Sequence, residues 1–116
     1  IENALRQLKP QHPEAIITIS GGINRPPLQP DSTKALFERA KKVYADLGRG
    51  ELLGVAVGGA SDGNFAAATG TPTLDGLGAI GGNAHALGEW ISAAGVISQV
   101  EFLHAFIKDL VVNRVG

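Results

Sequence analysis

The apolar positions of this chain fall into short blocks whose period changes along the sequence, and glycine or proline separates most blocks from the next. Residues 4–9 place Leu5 and Leu8 three apart, which predicts a short helix with both leucines inward, stopped by Pro10 and Pro13. Residues 16–20, Ile-Ile-Thr-Ile-Ser, are mostly β-branched and predict a strand ending at Gly21-Gly22. From Asn24 to Pro30, three prolines in seven positions exclude helix and remove donors that a central strand needs, so an extended connector between domains is expected. Helical spacing returns at Leu36, Ala40, Val43, Tyr44 and Leu47, with Asp31 or Ser32 as the cap and Gly48 as the stop.

Residues 51–57 read as a short apolar strand feeding a glycine-rich turn, and residues 64–69 as a helix of small side chains ending at Gly70. A further buried strand is expected at 72–77, while 90–96 fits either state. Val100, Leu103, Ile107 and Leu110, with Phe106 and Val111 alongside, mark a last amphipathic helix. This alternation predicts an α/β fold with a parallel layer, whose ligands gather at the carboxyl ends of strands. Both glycine-rich loops follow expected strands and should open onto one edge. The strand at 16–20 is the expected place for dimer contacts, as an edge.

Composition narrows the partners. The chain has 116 residues, 44% hydrophobic and 18% charged, enough for a packed core, and its formal net charge of −1 leaves no electrostatic footprint for nucleic acid. No apolar run reaches the ~18 residues of a membrane span, so no membrane partner is expected. With no cysteine, any metal must be held by His, Asp or Glu. A cytoplasmic location is expected, although a cysteine-free chain suits either redox setting. Methionine is absent and the chain opens at Ile1, from which a processed or truncated polypeptide is expected.

Three segments carry candidate chemistry. Residues 75–85 form a glycine-dense run ending at His85; each glycine there costs backbone entropy and adds nothing to a core, so something must require bare backbone. Arg25 sits on a proline-stiffened segment, where a guanidinium loses less entropy on gripping a carboxylate. Ser61-Asp62 lies at a strand-to-helix turn, where either side chain can cap the following helix. The same residues match the nucleophile-elbow pattern G-x-S-x-G, with Asp75 and His85 following in the order of a hydrolase triad. His12 and His104 read as ordinary surface or half-buried histidines. A single histidine cannot make a zinc site, so if His85 binds metal, most of the other ligands lie outside this sequence.

In order, Gly22-Ile23-Asn24-Arg25-Pro26-Pro27, Gly58-Gly59-Ala60-Ser61-Asp62-Gly63-Asn64, residues 71–78 with Gly81-Gly82-Asn83-Ala84-His85, and Glu89-Trp90-Ile91 resemble the carboxyl-terminal part of the zinc aminoacylase and carboxypeptidase family. The resemblance spans nearly the whole chain and is closest to the glutamate-carboxypeptidase branch. It implies that residues 1–28 end a smaller α+β lid domain that dimerises, and that residues 29–116 form the carboxyl-terminal part of an α/β catalytic domain. It also implies a two-zinc site with His85 as one ligand, Arg25 as the anchor for the substrate carboxylate, Ser61, Asp62 and Asn64 lining the pocket, and backbone N–H groups of Gly81 and Gly82 holding substrate. The implied reaction is hydrolysis of the amide of an N-acyl amino acid or small peptide by a homodimer.

The family's remaining metal ligands and its glutamate general base have no counterpart in this sequence, so no catalytic residue is expected here and the chain alone should be inactive. Ala86-Leu87-Gly88 also stands where the family commonly has Ser-Pro-Asp. Two alternatives stay open from the residues themselves: a serine hydrolase using Ser61, Asp75 and His85, and a non-enzymatic module whose glycine loops hold an anion.

Overall fold

Two long helices carry the core. The computed structural model describes residues 1–113, ordered as α1 (Glu2–Arg6), α2 (Pro30–Asp46), α3 (Gly63–Ala68), β1 (Gly81–Gly82), β2 (Trp90–Ile91) and α4 (Ala93–Val112). The last three residues of the expected 29–116 unit lie outside that description.

Helix α2 starts on Pro30 rather than on an Asp31 or Ser32 cap. Gln29 is the N-cap and makes no side-chain bond, because proline at the first helical position is already set to helical φ and lacks only an N–H that would have no partner there. Gly48, at φ +71°, closes the helix as expected, its N–H bonding the Ala45 carbonyl at 2.8 Å. Helix α4 starts seven residues ahead of the expected Val100. Ser92 caps it by accepting the Gly95 N–H at 3.0 Å, and Ala-Ala-Gly fills the first turn, where hydrophobic periodicity has nothing to register.

Ala40 on α2 and Phe102 and Phe106 on α4 are buried, and Phe102 retains 1% of its exposure. The Tyr44 ring meets Phe102 edge-on at 5.3 Å, and Leu36, Val43 and Leu110 pack around the cluster. Polar clamps bracket it. Arg39 bonds the Asp109 carboxylate and carbonyl at 2.9 and 2.8 Å, and Arg49 bonds the Ser98 carbonyl at 2.6 Å and Glu101 at 2.9 Å.

The expected strands at 16–20, 51–57 and 72–77 carry no ladder among the described residues. Segment 72–77 is instead strapped across the helix pair: the Thr73 N–H bonds the Ser32 carbonyl at 2.9 Å, Gln99 bonds the Leu77 carbonyl at 2.9 Å, and Leu74 and Leu77 join the core margin. Within 51–57, Leu52 packs inward while Leu53, Val55 and Val57 stay 70–81% exposed. That alternation fits a strand face, yet among the described residues no second strand lies beside it. Helix α1 sits earlier than the expected 4–9, fixed by the Glu2–Arg6 pair at 2.8 Å, and Leu5 and Leu8 are exposed rather than inward. The sheet among the described residues is a two-stranded antiparallel ribbon, Gly81 opposite Ile91 and Gly82 opposite Trp90, which resolves the ambiguity at 90–96 as strand then helix.

The result is open. The radius of gyration is 19.8 Å, against about 13 Å for a closed domain of this length. The accessible surface is 9235 Å², against roughly 6000 Å² for a folded monomer of this mass. Since Phe102 lies at the centre of the small core, Phe102→Ala is expected to cost about 3 kcal/mol or more, read by chemical denaturation; a loss below about 1 kcal/mol would place the core elsewhere.

Candidate functional site

The turn before α3 organises the site. The Ser61 hydroxyl donates to Asp75 Oδ2 at 2.5 Å and accepts the Gly63 N–H at 3.1 Å, so Ser61 caps the helix while Asp62, its N-cap residue, makes no side-chain cap bond. Asn64 is the buried polar residue here. Its Oδ1 accepts the Ser61 N–H at 2.9 Å and its Nδ2 donates to the Pro26 carbonyl at 2.8 Å, which ties the proline connector to the turn. The site side chains expected at 24–25 and 61–64 therefore meet, although 36 residues separate Arg25 from Ser61.

Arg25 lies along this seam. Its Nη1 donates to the Ser61 carbonyl at 3.0 Å, its Nε to Asn24 Oδ1 at 3.4 Å, and its guanidinium stands 4.4 Å from the centre of the Phe65 ring. The hydrogen bonds among the described residues leave Nη2 unused. Asp62 lies 3.9 Å from Nη1 with its side chain fully exposed, too loose and too well solvated to occupy the guanidinium.

An open cavity of about 780 Å³ adjoins these groups, lined by Arg25, Asn64 and Asp75, by backbone at Gly21-Gly22 and Gly58-Gly59, and by apolar side chains including Leu5 and Val57. At its rim Arg6 bonds the Gly21 carbonyl at 2.7 Å. The Ser61 hydroxyl, and then the Gly76 N–H at 2.8 Å, hold the Asp75 carboxyl below its ordinary pKa, outweighing the slight burial that would raise it. A hollow with one partly unpaired guanidinium, bare backbone and apolar walls is chemically suited to a carboxylate carried on an apolar body.

His85, Gly81 and Gly82 are not among the residues lining that cavity. The glycine pair has a packing reason: a Cβ at Gly81 would collide with the Trp90 carbonyl oxygen, and one at Gly82 would come within 3.0 Å of the Trp90 indole. His85 projects from the turn joining β1 and β2, exposed, at φ +64°, with Asn83 at φ +57°. Asparagine and histidine are among the non-glycine residues that enter left-handed backbone most readily, so the turn suits both positions. His85 shares no hydrogen bond with Ser61 or Asp75 among the described residues. Asp75 accepts the serine hydroxyl's hydrogen bond directly, where a triad would need an imidazole between them, so the geometry favours Ser61 as an organiser of the turn over Ser61 as nucleophile.

Among the described residues no three His, Asp or Glu side chains come together, and no helix is long and apolar enough to cross a membrane. Sequence reasoning missed Phe65 beneath Arg25 and the bond from Asn64 to Pro26. Phe65 sits one residue after Asn64, where the small-residue pattern of α3 is broken, and that break was the available signal. No protein-family model matches this chain, and neither a curated protein nor a solved structure does.

Two outcomes follow from these bonds. With its folded pKa depressed, Asp75 stabilises the turn fully above the ordinary carboxylate value of about 4 and loses that contribution as pH falls through the lower folded value. Ser61→Ala should therefore raise the Asp75 pKa, measured by carboxyl-carbon NMR titration, and an unmoved titration would show that the hydroxyl does not hold the carboxylate. Gly81→Ala should separate β1 from β2 and change the Trp90 fluorescence maximum, whereas an unchanged spectrum would contradict the close approach of the two strands.

Proposed function

We propose that this chain is the carboxyl-terminal part of a zinc-dependent amidohydrolase of the aminoacylase and carboxypeptidase type, acting on an N-acyl amino acid or small peptide. The observation that carries the reading is the junction of Arg25 with the Ser61–Asn64 turn at the cavity. The two segments bear separate parts of the family resemblance, and their meeting around one guanidinium is what a carboxylate-anchoring site requires. The open apolar surface at 16–20 and 51–57 supports the same reading, since residues patterned as strands lack strand partners among the described residues.

Arg25 would take the free carboxylate of the substrate through its unused Nη2 edge, while the Phe65 ring limits its swing. Apolar walls would exclude water from the rest of the ligand, strengthening that ion pair. The described residues do not hold zinc by themselves: no three of their His, Asp or Glu side chains come together, and zinc takes three or more protein ligands. His85 is proposed as one ligand of a site completed by residues that this sequence does not contain. Zinc would supply Lewis acidity and an activated water there. Dimerisation through residues 1–28 and a catalytic unit at 29–116 belong to the same proposal.

The test uses the zinc-loaded natural protein that carries this sequence. Asn adopts left-handed backbone readily and has no imidazole, so His85→Asn removes the ligand while sparing the turn. It should lower bound zinc, measured by atomic emission, together with hydrolysis of N-acyl amino acids; full zinc content in the variant would overturn the reading. Arg25→Lys, which keeps the charge and loses the fork, should raise KM about tenfold with a smaller change in kcat.

A further inference from the structure

A guanidinium on a flexible stem is a poor anchor unless something fixes it, and the contact with the Ser61 carbonyl at 3.0 Å is the shorter of Arg25's two hydrogen bonds. That carbonyl points where the Ser61–Asp62 peptide plane points. The carbonyl also accepts the Asn64 N–H at 3.2 Å, and Ser61 itself is fixed by two further bonds, its N–H to Asn64 Oδ1 at 2.9 Å and its hydroxyl to Asp75 Oδ2 at 2.5 Å. Asp75 is itself fixed, its Oδ1 accepting the Gly76 N–H at 2.8 Å. Asn64 completes the frame by donating to the carbonyl of Pro26, the residue after Arg25.

We infer that Asp75 is a positioning residue for the Arg25 guanidinium, acting through the Ser61 hydroxyl and the turn that presents the Ser61 carbonyl. The inference rests on the proposed role of Arg25 as carboxylate anchor. A carboxylate suits the task because both of its oxygens are in use, one on Ser61 and one on Gly76, and hydrogen bonds to a charged acceptor are the stronger kind. Asparagine puts an NH2 donor in place of one of these two acceptor oxygens, so the pair of bonds as they stand is lost. Asp75 also lines the cavity, so its charge by itself would repel an incoming anion. Positioning and simple electrostatics thus predict opposite signs for its removal.

Benzoate, a carboxylate on an apolar ring, is the probe, titrated into the full natural chain while the Arg25 Nε–Hε resonance and its exchange rate are followed by NMR. Asp75→Asn and Ser61→Ala are each expected to weaken benzoate about fivefold and to speed Nε–Hε exchange. The double variant should be no worse than either single change, since both act on one link. Ser61→Thr, which keeps a hydroxyl, should restore binding, and the ring signals of Phe102 report whether each variant is folded. Equal or tighter benzoate binding in Asp75→Asn, or an Arg25 signal unmoved in both single variants, overturns the inference while leaving the anchor role of Arg25 intact. If the unaltered chain takes no benzoate, the anchor role fails, and the exchange rate alone decides: faster exchange in both variants supports the positioning link, and unchanged exchange overturns it.

Discussion

The seam between α2 and α4 is the constraint on which the other segments depend. Phe102 and Phe106 fill the space over Ala40, where a larger side chain would hold the helices apart, and segments between the helices are anchored on this pair. Leu52, Leu74 and Leu77 reach its margin, and a bond from the Thr73 N–H to Ser32 and one from the Gln99 side chain to the Leu77 carbonyl lay the 72–77 segment across both helices. Arg39 and Arg49 add hydrogen bonds at the two ends of the seam, each using a backbone carbonyl as well as a carboxylate. Because 72–77 is strapped down, Asp75 arrives at a defined place beside the turn before α3. The site inherits its geometry from a core that it does not touch.

The cavity shows how polar bonding takes over where apolar burial is thin. Few side chains around Arg25 are buried, so the connector at 24–27 is held against the 61–64 turn chiefly by the two-sided amide of Asn64. An amide can accept from one segment and donate to another at once, which a carboxylate or an alcohol cannot do with the same reach. The glycine run divides between different tasks. Gly76 supplies an N–H to Asp75 at φ +78°, whereas Gly81 and Gly82 make room for Trp90. The expectation that bare backbone is needed there is met by strand packing, while the cavity uses Gly21-Gly22 and Gly58-Gly59.

The helices were legible in outline because their apolar spacing is an intrinsic property of 3.6-residue periodicity; their starts were less so. Pro30 outcompeted Asp31 and Ser32, and the Ala-Ala-Gly opening of α4 has no hydrophobic signal to read. Segments 16–20, 51–57 and 72–77 carry strand-like patterning without a ladder among the described residues, because β patterning records what a segment can do when a neighbour is present, and pairing needs that neighbour. Arg25, Ser61 and Asn64 were singled out by residue type and setting, but their meeting was not, since contacts 36 residues apart leave no local trace.

By itself, then, the sequence determined where the chain can be helical, where glycine and proline interrupt it, and which few side chains carry chemistry, for these follow from local sterics and from the nature of each group. The tertiary structure decided that Asp75 serves Ser61, that Arg25 leans on the Ser61 carbonyl, and that His85 stands apart on its own turn. Those outcomes depend on how distant segments are laid against the α2–α4 pair, and hydrogen bonds of about 3 Å form only after that packing has set the distances.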